Sequence, residues 1–379
     1  MNYTLTKGIE EDYEDIIDFG NYVFGIDFIS LLPKLYKNHK EVAQHHHLIK
    51  EGHRIKAMVG SFPLGFRVCN DYLKIRGIGT VSVHKYSRGS GYMKLLMDTA
   101  IIEMKEEGCD LAILSGQRQR YEYWGFTPCG INIIFNFNSS NIKHTKIHTE
   151  DIYEFTEYDE KASCDLEKII DLHESQIAHG IRATEAFLEI CKSWNNNLIF
   201  IYKNQEFSGY ICSSTNSESI SEIMLLDPSE IDTVLTSYMK YFNLKNASVA
   251  IYMHRTEEFI KLSRLCEHYM IKNSANMYII NYINVIKSFM NLKNTFSPLC
   301  EGVLILNVLE TGTFSIEVKN GVVTVLETDL PHHISLSPLD ATALLFSHGS
   351  FINSTYTITN PLVKSWFPLP LFYPEIDNV

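Results

Sequence analysis

Between Gly79 and Tyr92 the sequence reads GTVSVHKYSRGSGY, a glycine-rich, basic loop between an apolar segment and the start of a helical one. Gly89 and Gly91 let the main chain turn tightly, so several backbone N–H groups converge on one point. A helix opening at Gly91 aims the positive end of its dipole at the same point. Arg88 adds a full charge. The loop is therefore a candidate anion site, where glycine lets a diphosphate approach the main chain closely. It is not the dinucleotide fingerprint G-x-G-x-x-G, because only Gly89 and Gly91 fit that spacing and Met93 and Lys94 fill the rest. Other residues with chemical potential read more plainly. His45, His46 and His47 are successive and face opposite sides of a strand, no Cys or Asp cluster accompanies them, and they read as polar surface. The eight cysteines are scattered without any C-x-x-C, which leaves no zinc knuckle or disulfide scaffold and implies buried thiols in a reducing compartment. No metal site is expected.

The elements that hold the loop are legible from their period. Met93, Leu96, Met97, Ala100, Ile101 and Met104 recur at helical spacing, which predicts a helix from Gly91 to about residue 107 with Gly108 as its left-handed cap. Gly77–Val83 before it and Asp110–Ser115 after it are short apolar runs, so the three form one β-α-β crossover. Upstream, a strand at Thr4–Lys7 and a helix from Asp12 to about Phe24 precede strands His46–Ile49 and Ala57–Phe66, which join Gly77–Val83 in a β-meander. A polar stretch over Asn136–Thr149 reads as a strand passing into a linker.

A second block opens near Asp151 and repeats the order of elements. It has helix-compatible Leu166–Ser175 and Ala183–Trp194, strands Leu198–Tyr202, Phe207–Ser213 and Ser219–Leu225, helix Pro228–Phe242 and strand Ser248–Tyr252. No glycine-rich turn precedes the helix Pro228–Phe242, so this block lacks the anion loop. From about Tyr278 a third unit places strands Gly302–Val308, Thr313–Lys319 and Val322–Glu327 around an Asn320-Gly321 hairpin turn, followed by helix Ser337–Ser347. The end, SWFPLPLFYPEIDNV, is too apolar for a frayed tail and is expected to dock inside the molecule.

At 379 residues, with about 150 per domain, two or three domains are expected. The formal charge of −12 repels nucleic acid and attracts cations. No run approaches the roughly 18 uninterrupted apolar residues of a membrane span, and the start lacks a basic region followed by an apolar core, so a cytoplasmic protein is expected.

Gly77–Gly91, the methionine-rich helix and Asp110–Gly130 (DLAILSGQRQRYEYWGFTPCG) together resemble the GNAT acetyltransferases, and in particular the enhanced-intracellular-survival (Eis) type. The resemblance implies an α/β (α+β) fold of two tandem GNAT units, each a mixed central sheet with a V-shaped splay, followed by a sterol-carrier-like (SCP2-like) α+β unit. Its divisions would be 1–150 (acetyl-CoA-binding and catalytic), 151–277 (a degenerate second GNAT unit) and 278–379. The last place of the loop is Met93 where the wider superfamily carries Gly or Ala, a departure that Eis-like members share. The implied activity is acetyl transfer from acetyl-CoA to an amine without a metal. Main-chain groups of Val81, Ser82 and Val83 would hold the acetyl and pantetheine parts, Arg88–Met93 the diphosphate, and Ser115 and Gly116 would approach the cofactor at the splayed end of the next strand.

Tyr121 of RYEYWGF aligns with the tyrosine that, in Eis-like enzymes, protonates the departing thiolate, with Tyr123 as the alternative. A phenol of pKa about 10 suits a thiol of about 8.5. The base would be the C-terminal carboxylate, here on Val379, with Glu375, Asp377 or a water relay as alternatives. A free α-carboxyl is a weak base at neutral pH and would need burial or a water to act. An acidic protein concentrates polycations, so aminoglycosides, polyamines and protein lysines are the candidate acceptors, the first favoured by the resemblance and bordered by the segment 12–36 with Asp18, Asp27 and Tyr36. The resemblance also implies a homo-oligomer, a hexamer in this type. The rival reading is a lipid carrier that uses the third unit, with the GNAT units as scaffold.

Overall fold

A computed structural model describes residues 3–144, 153–159, 165–348 and 360–379, so the expected boundary near residue 150 lies outside the described residues. The described residues form a mixed α/β architecture of three sheets. The first contains β1 (Thr4–Lys7), β2 (His46–Glu51), β3 (Arg54–Val68), β4 (Asp71–Val83), β5 (Leu111–Leu114) and β6 (Thr127–Cys129). β2, β3 and β4 pair antiparallel as the expected meander. β4 and β5 pair in parallel, joined by the helix Tyr92–Glu106. That crossover packs as its period requires: Leu96, Met97, Ala100 and Met104 are buried on one face against Ile49, Ala57, Val59, Ile78 and Ala112 of the sheet.

The sheets do not follow chain order. Ala275–Ile279 inserts between β5 and β6 in the first sheet, antiparallel to both. Asn132–Asn138, which follows β6 directly, instead joins the second sheet between Asn246–Ile251 and His268–Lys272. The remainder of that sheet is Ser219–Leu225, Glu206–Ser214, Asn196–Lys203 and Tyr153–Glu157. The third sheet is Val322–Glu327, Gly312–Lys319, Gly302–Val308 and Ile334–Leu336. Its core is continuous with the first sheet's lower face through the long helix Tyr282–Phe296 and the buried tail residues Trp366, Phe367, Leu369, Leu371 and Phe372.

Two local expectations are corrected. His46 and His47 are buried rather than polar surface, because both faces of β2 are covered: Leu48 lies in one cluster with Ile16 and Phe19, and Ile49 in another with Leu96 and Met97. His46 meets the Tyr36 hydroxyl at 3.2 Å, and burial pushes its pKa down to about 4. His47 Nε2 lies 3.0 Å from Glu103. The helix expected over Ala183–Trp194 is broken: only Phe187–Lys192 is α-helical, and Trp194 takes a left-handed φ of 61°. Among the described residues no helix is long and apolar enough to cross a membrane.

Candidate active site

The site forms where the first sheet opens. Parallel pairing of β4 with β5 stops at Ile78 and Leu114, whereas β4 runs on to Val83. Beyond Ile78 the β5-facing edge of β4 is therefore free to bond something other than a strand. A bulge lies at the same place. Thr80 and Val81 together stand opposite Val59, and Thr80 takes a left-handed φ of 51°. For a β-branched residue that conformation is costly and the surrounding fold must hold it. It turns Val81 out of regular alternation and thickens the local twist.

The loop after β4 has the shape its glycines foretell. Gly89 and Gly91 have φ of 83° and 77°, and nothing stands within 4 Å of where a Cβ would be at either. Gly91 caps the helix Tyr92–Glu106. Around the loop lies a cavity of about 700 Å³ bordered by Val81, Ser82, Val83, Ser87, Arg88, Gly89, Gly91, Tyr92 and Met93, to which Lys94 and Arg120 add two further cations. Among the described residues no acidic side chain borders it. Three cations, a helix N-terminus and an open main chain fit the phosphates of coenzyme A. Ser90 shares the loop but does not border the cavity, and Tyr92 turns inward, its hydroxyl donating to Glu51 at 3.1 Å.

A second cavity of about 240 Å³ meets the first at Phe24 and Val81. Gly79, Thr80, Ser115, Tyr121 and Val379 border it on the sheet side. Phe28, Leu31, Leu32, Leu35 and Tyr36 close it from the short helices after residue 27, and Trp194 from the second block. Tyr121 is buried with its ring against Gly116, where a Cβ would stand 2.6 Å from it. Burial raises its pKa, with Arg120 pulling the other way. Tyr123 is exposed instead, with the Lys94 amine 5.1 Å from its ring centre. Gly116 borders neither cavity and accepts a hydrogen bond from Asn276 at 3.1 Å.

Val379 reaches this cavity because the tail threads between the units. Its Cγ2 lies against β4 where Gly77 has no side chain, and its carboxyl carbon would stand 3.4 Å from a Cβ on Gly79. Its side chain completes the apolar cluster of Tyr13, Phe28, Leu32, Tyr36 and Phe62. Four side chains anchor the tail. Lys34 Nζ donates to the carbonyls of Ile376 (2.5 Å) and Asn378 (2.6 Å). Trp194 Nε1 donates to Asn378 O at 3.1 Å, and Asn378 Nδ2 to Ser115 Oγ at 3.1 Å. Asp377 lies in a buried pair with Arg182 (2.7 and 3.0 Å), and the same guanidinium bonds Glu222 (2.9 and 2.7 Å). Burial alone would raise the Glu222 carboxyl, but Arg182 overrides it and holds it at about 2. Burial pushes Lys34 down to about 7 against the pull of Asp377. Of the alternative carboxylates, Asp377 is thus committed to Arg182, and Glu375 is exposed and borders neither cavity.

The sequence reading had no place for Arg120, Lys94, Trp194 or Lys34. Arg120 sits beside Tyr121 in RQRY, and that pair of arginines was a usable signal. Trp194 gave none, since only the exchange of segments between units brings it here.

Residues 5–129 match the model of the acetyltransferase (GNAT) domain. The whole chain shares its fold with solved structures of low sequence identity. A GCN5-related N-acetyltransferase from Kribbella flavida superposes with a TM-score of 0.71 at 13% identity, covering 98% of this chain and 97% of that one. A GCN5-related N-acetyltransferase from Anabaena variabilis gives 0.70 at 15% identity, with both chains covered completely. Eis1 from Mycobacterium abscessus gives 0.65 at 10% identity, again over the full length of both. No curated protein matches the sequence.

Proposed function

We propose that the protein is an acetyl-CoA-dependent N-acetyltransferase that acts on an amine. The observation that carries this is the junction of the two cavities at Val81 and Phe24. A thioester whose diphosphate sits on Arg88–Met93 has its acetyl end in the inner cavity that Tyr121 and Val379 both border. The free edge of β4 at Val81–Val83 supplies main-chain groups for the pantetheine arm and a fixed N–H for the charge that develops on the carbonyl oxygen. The carboxylate on Val379 takes one proton from the ammonium of the acceptor, and the freed amine attacks the carbonyl carbon. The carbon–nitrogen bond forms as the carbon–sulfur bond breaks, and Tyr121 gives its proton to the departing sulfur. The Val379 carboxyl passes its first proton to solvent and is a carboxylate again. It then takes the second proton, shed by the acylated nitrogen, and returns it through water to the Tyr121 phenolate, so that one proton is released in each turnover. Burial favours the protonated form of Tyr121, which suits a general acid.

In this reading residues 1–150 form the catalytic unit, 151–277 a degenerate second unit that supplies Trp194 and the Arg182 anchor, and 278–379 a sterol-carrier-like unit that delivers the tail. The charge of −12 draws cationic amines toward the surface, aminoglycosides and polyamines among them. Thiol release from acetyl-CoA, measured against a panel of amines, tests the reading. Amine-dependent release that is lost on Tyr121→Phe while coenzyme A still binds supports it, and no release with any amine overturns it.

A further inference from the structure

The cavity that holds Tyr121 and Val379 is apolar to a degree that the net charge of the chain does not foretell. None of its described lining residues is Asp, Glu, Lys or Arg. Six rings, those of Phe24, Phe28, Tyr36, Phe62, Tyr121 and Trp194, line it together with aliphatic side chains. The one anion within it is the carboxylate of Val379. Phe24 and Ile26 stand at its edge 46% and 39% exposed, which continues the apolar surface out to solvent.

The neighbouring space offers no more acid. A third cavity of about 440 Å³ meets this one at Leu35 and Val379. Its charged lining residues are Lys34, Lys74 and Asp377, and Asp377 is already paired with Arg182. On the other side lie Arg88, Lys94 and Arg120. An acceptor with several ammonium groups would lose their hydration against rings and aliphatic chains, with cations beyond on both sides. Ring faces return only part of that loss. One ammonium, at the carboxylate, is matched.

Size sets a second limit. A cavity of about 150 Å³ takes a benzene molecule, so 240 Å³ holds one ring with a short arm, or an alkyl chain of similar bulk, whereas a multi-ring sugar would have to extend into the neighbouring cavity beside Lys34 and Lys74. We propose that the acceptor is a primary monoamine with an apolar body, an arylalkylamine or a short alkylamine, seated among Phe28, Phe62 and Trp194 with its nitrogen at the Val379 carboxylate. This rests on the acetyl-transfer reading and narrows it.

The test is a thiol-release assay on the full chain with acetyl-CoA and a matched series: 2-phenylethylamine, hexylamine, putrescine, spermidine and kanamycin. The expected result is a kcat/KM for 2-phenylethylamine at least tenfold above that for spermidine or kanamycin. A Leu35→Glu variant, whose retained coenzyme A binding by calorimetry shows that it folds, adds an acid to the wall. It should shift the ratio at least tenfold toward putrescine. Polyamines or kanamycin reacting as well as the apolar amines, or the apolar amines not reacting at all, overturns the assignment. A series in which only polycations release thiol leaves acetyl transfer standing and removes this acceptor class alone. Silence from every amine removes both.

Discussion

Substituting Gly77 tests whether the position of Val379 matters to the chemistry. An ideal Cβ on Gly77 stands 2.4 Å from Val379 Cγ2 and 2.8 Å from Leu64 Cδ1, where ordinary contact begins at 3.4 Å. Gly77 does not have a left-handed φ, so alanine strains no backbone there and its methyl acts by volume alone. The difference, 3.4 − 2.4 = 1.0 Å, is the least that Val379 Cγ2 must move if β4 stays fixed. A misplacement of about 1 Å at a reacting group costs on the order of 10²-fold in rate, and overpacking of this kind costs about 1–3 kcal/mol of stability. Gly77→Ala should therefore lower kcat about 10²-fold. Its affinity for coenzyme A, measured by calorimetry, should not change, since Gly77 lies outside the Ser87–Lys94 wall. Val379→Ala on the same background removes the closer collision, leaves the carboxylate in place and leaves only the flexible end of Leu64 to give way, so it should restore most of the rate. A Gly77→Ala enzyme within twofold of the parent, or a double variant no faster than the single, would refute the reasoning.

Other expectations follow from the same contacts. Tyr121→Phe should reduce kcat by about 10²–10⁴-fold with coenzyme A affinity unchanged. Because burial raises the Tyr121 pKa above its usual 10.0, the parent enzyme should show no loss of kcat below about pH 10 from this group in a pH–rate profile. Arg88→Glu should weaken coenzyme A binding by about 10–100-fold in calorimetry, the loss of one charge-assisted contact to phosphate. Arg182→Met should cost about 3–5 kcal/mol in urea unfolding, because Glu222 and Asp377 stay buried without their partner. Glu222 lies at about 2 when folded against 4.5 otherwise, so the parent keeps this stabilisation above about pH 4.5 and loses it as pH falls toward 2. The variant should lack that acid-dependent decline.

The crossover from β4 through its helix to β5 was legible because each step is local: a period of 3.6 between two apolar runs, with glycines at the turns. The shape of the loop came with it, since Gly89 and Gly91 reveal their conformation by their type. What escaped depends on distant pairing. Nothing within Ala275–Ile279 says that it inserts between β5 and β6, and nothing in Asn132–Asn138 says that it leaves for the second sheet. His46 and His47 were misread because alternation implies a wet face, and β2 has none. The docked tail was foreseen from its apolar residues, but its route was set by contacts no local pattern contains, Lys34 and Trp194 to its carbonyls and Arg182 to Asp377. The apolar lining of the inner cavity was likewise hidden. Overall charge describes the surface, whereas the cavity wall is assembled from the short helices at Phe28–Leu31 and Pro33–Tyr36, β4 and Trp194.

The most direct test of acetyl transfer at this site is a crystal structure with coenzyme A bound. The diphosphate should rest on the main chain of Gly89–Met93 beside Arg88, the pantetheine arm should run along Val81–Val83, and the sulfur should end within reach of the Tyr121 hydroxyl. Coenzyme A bound elsewhere, or its sulfur turned away from Tyr121 and Val379, would contradict it.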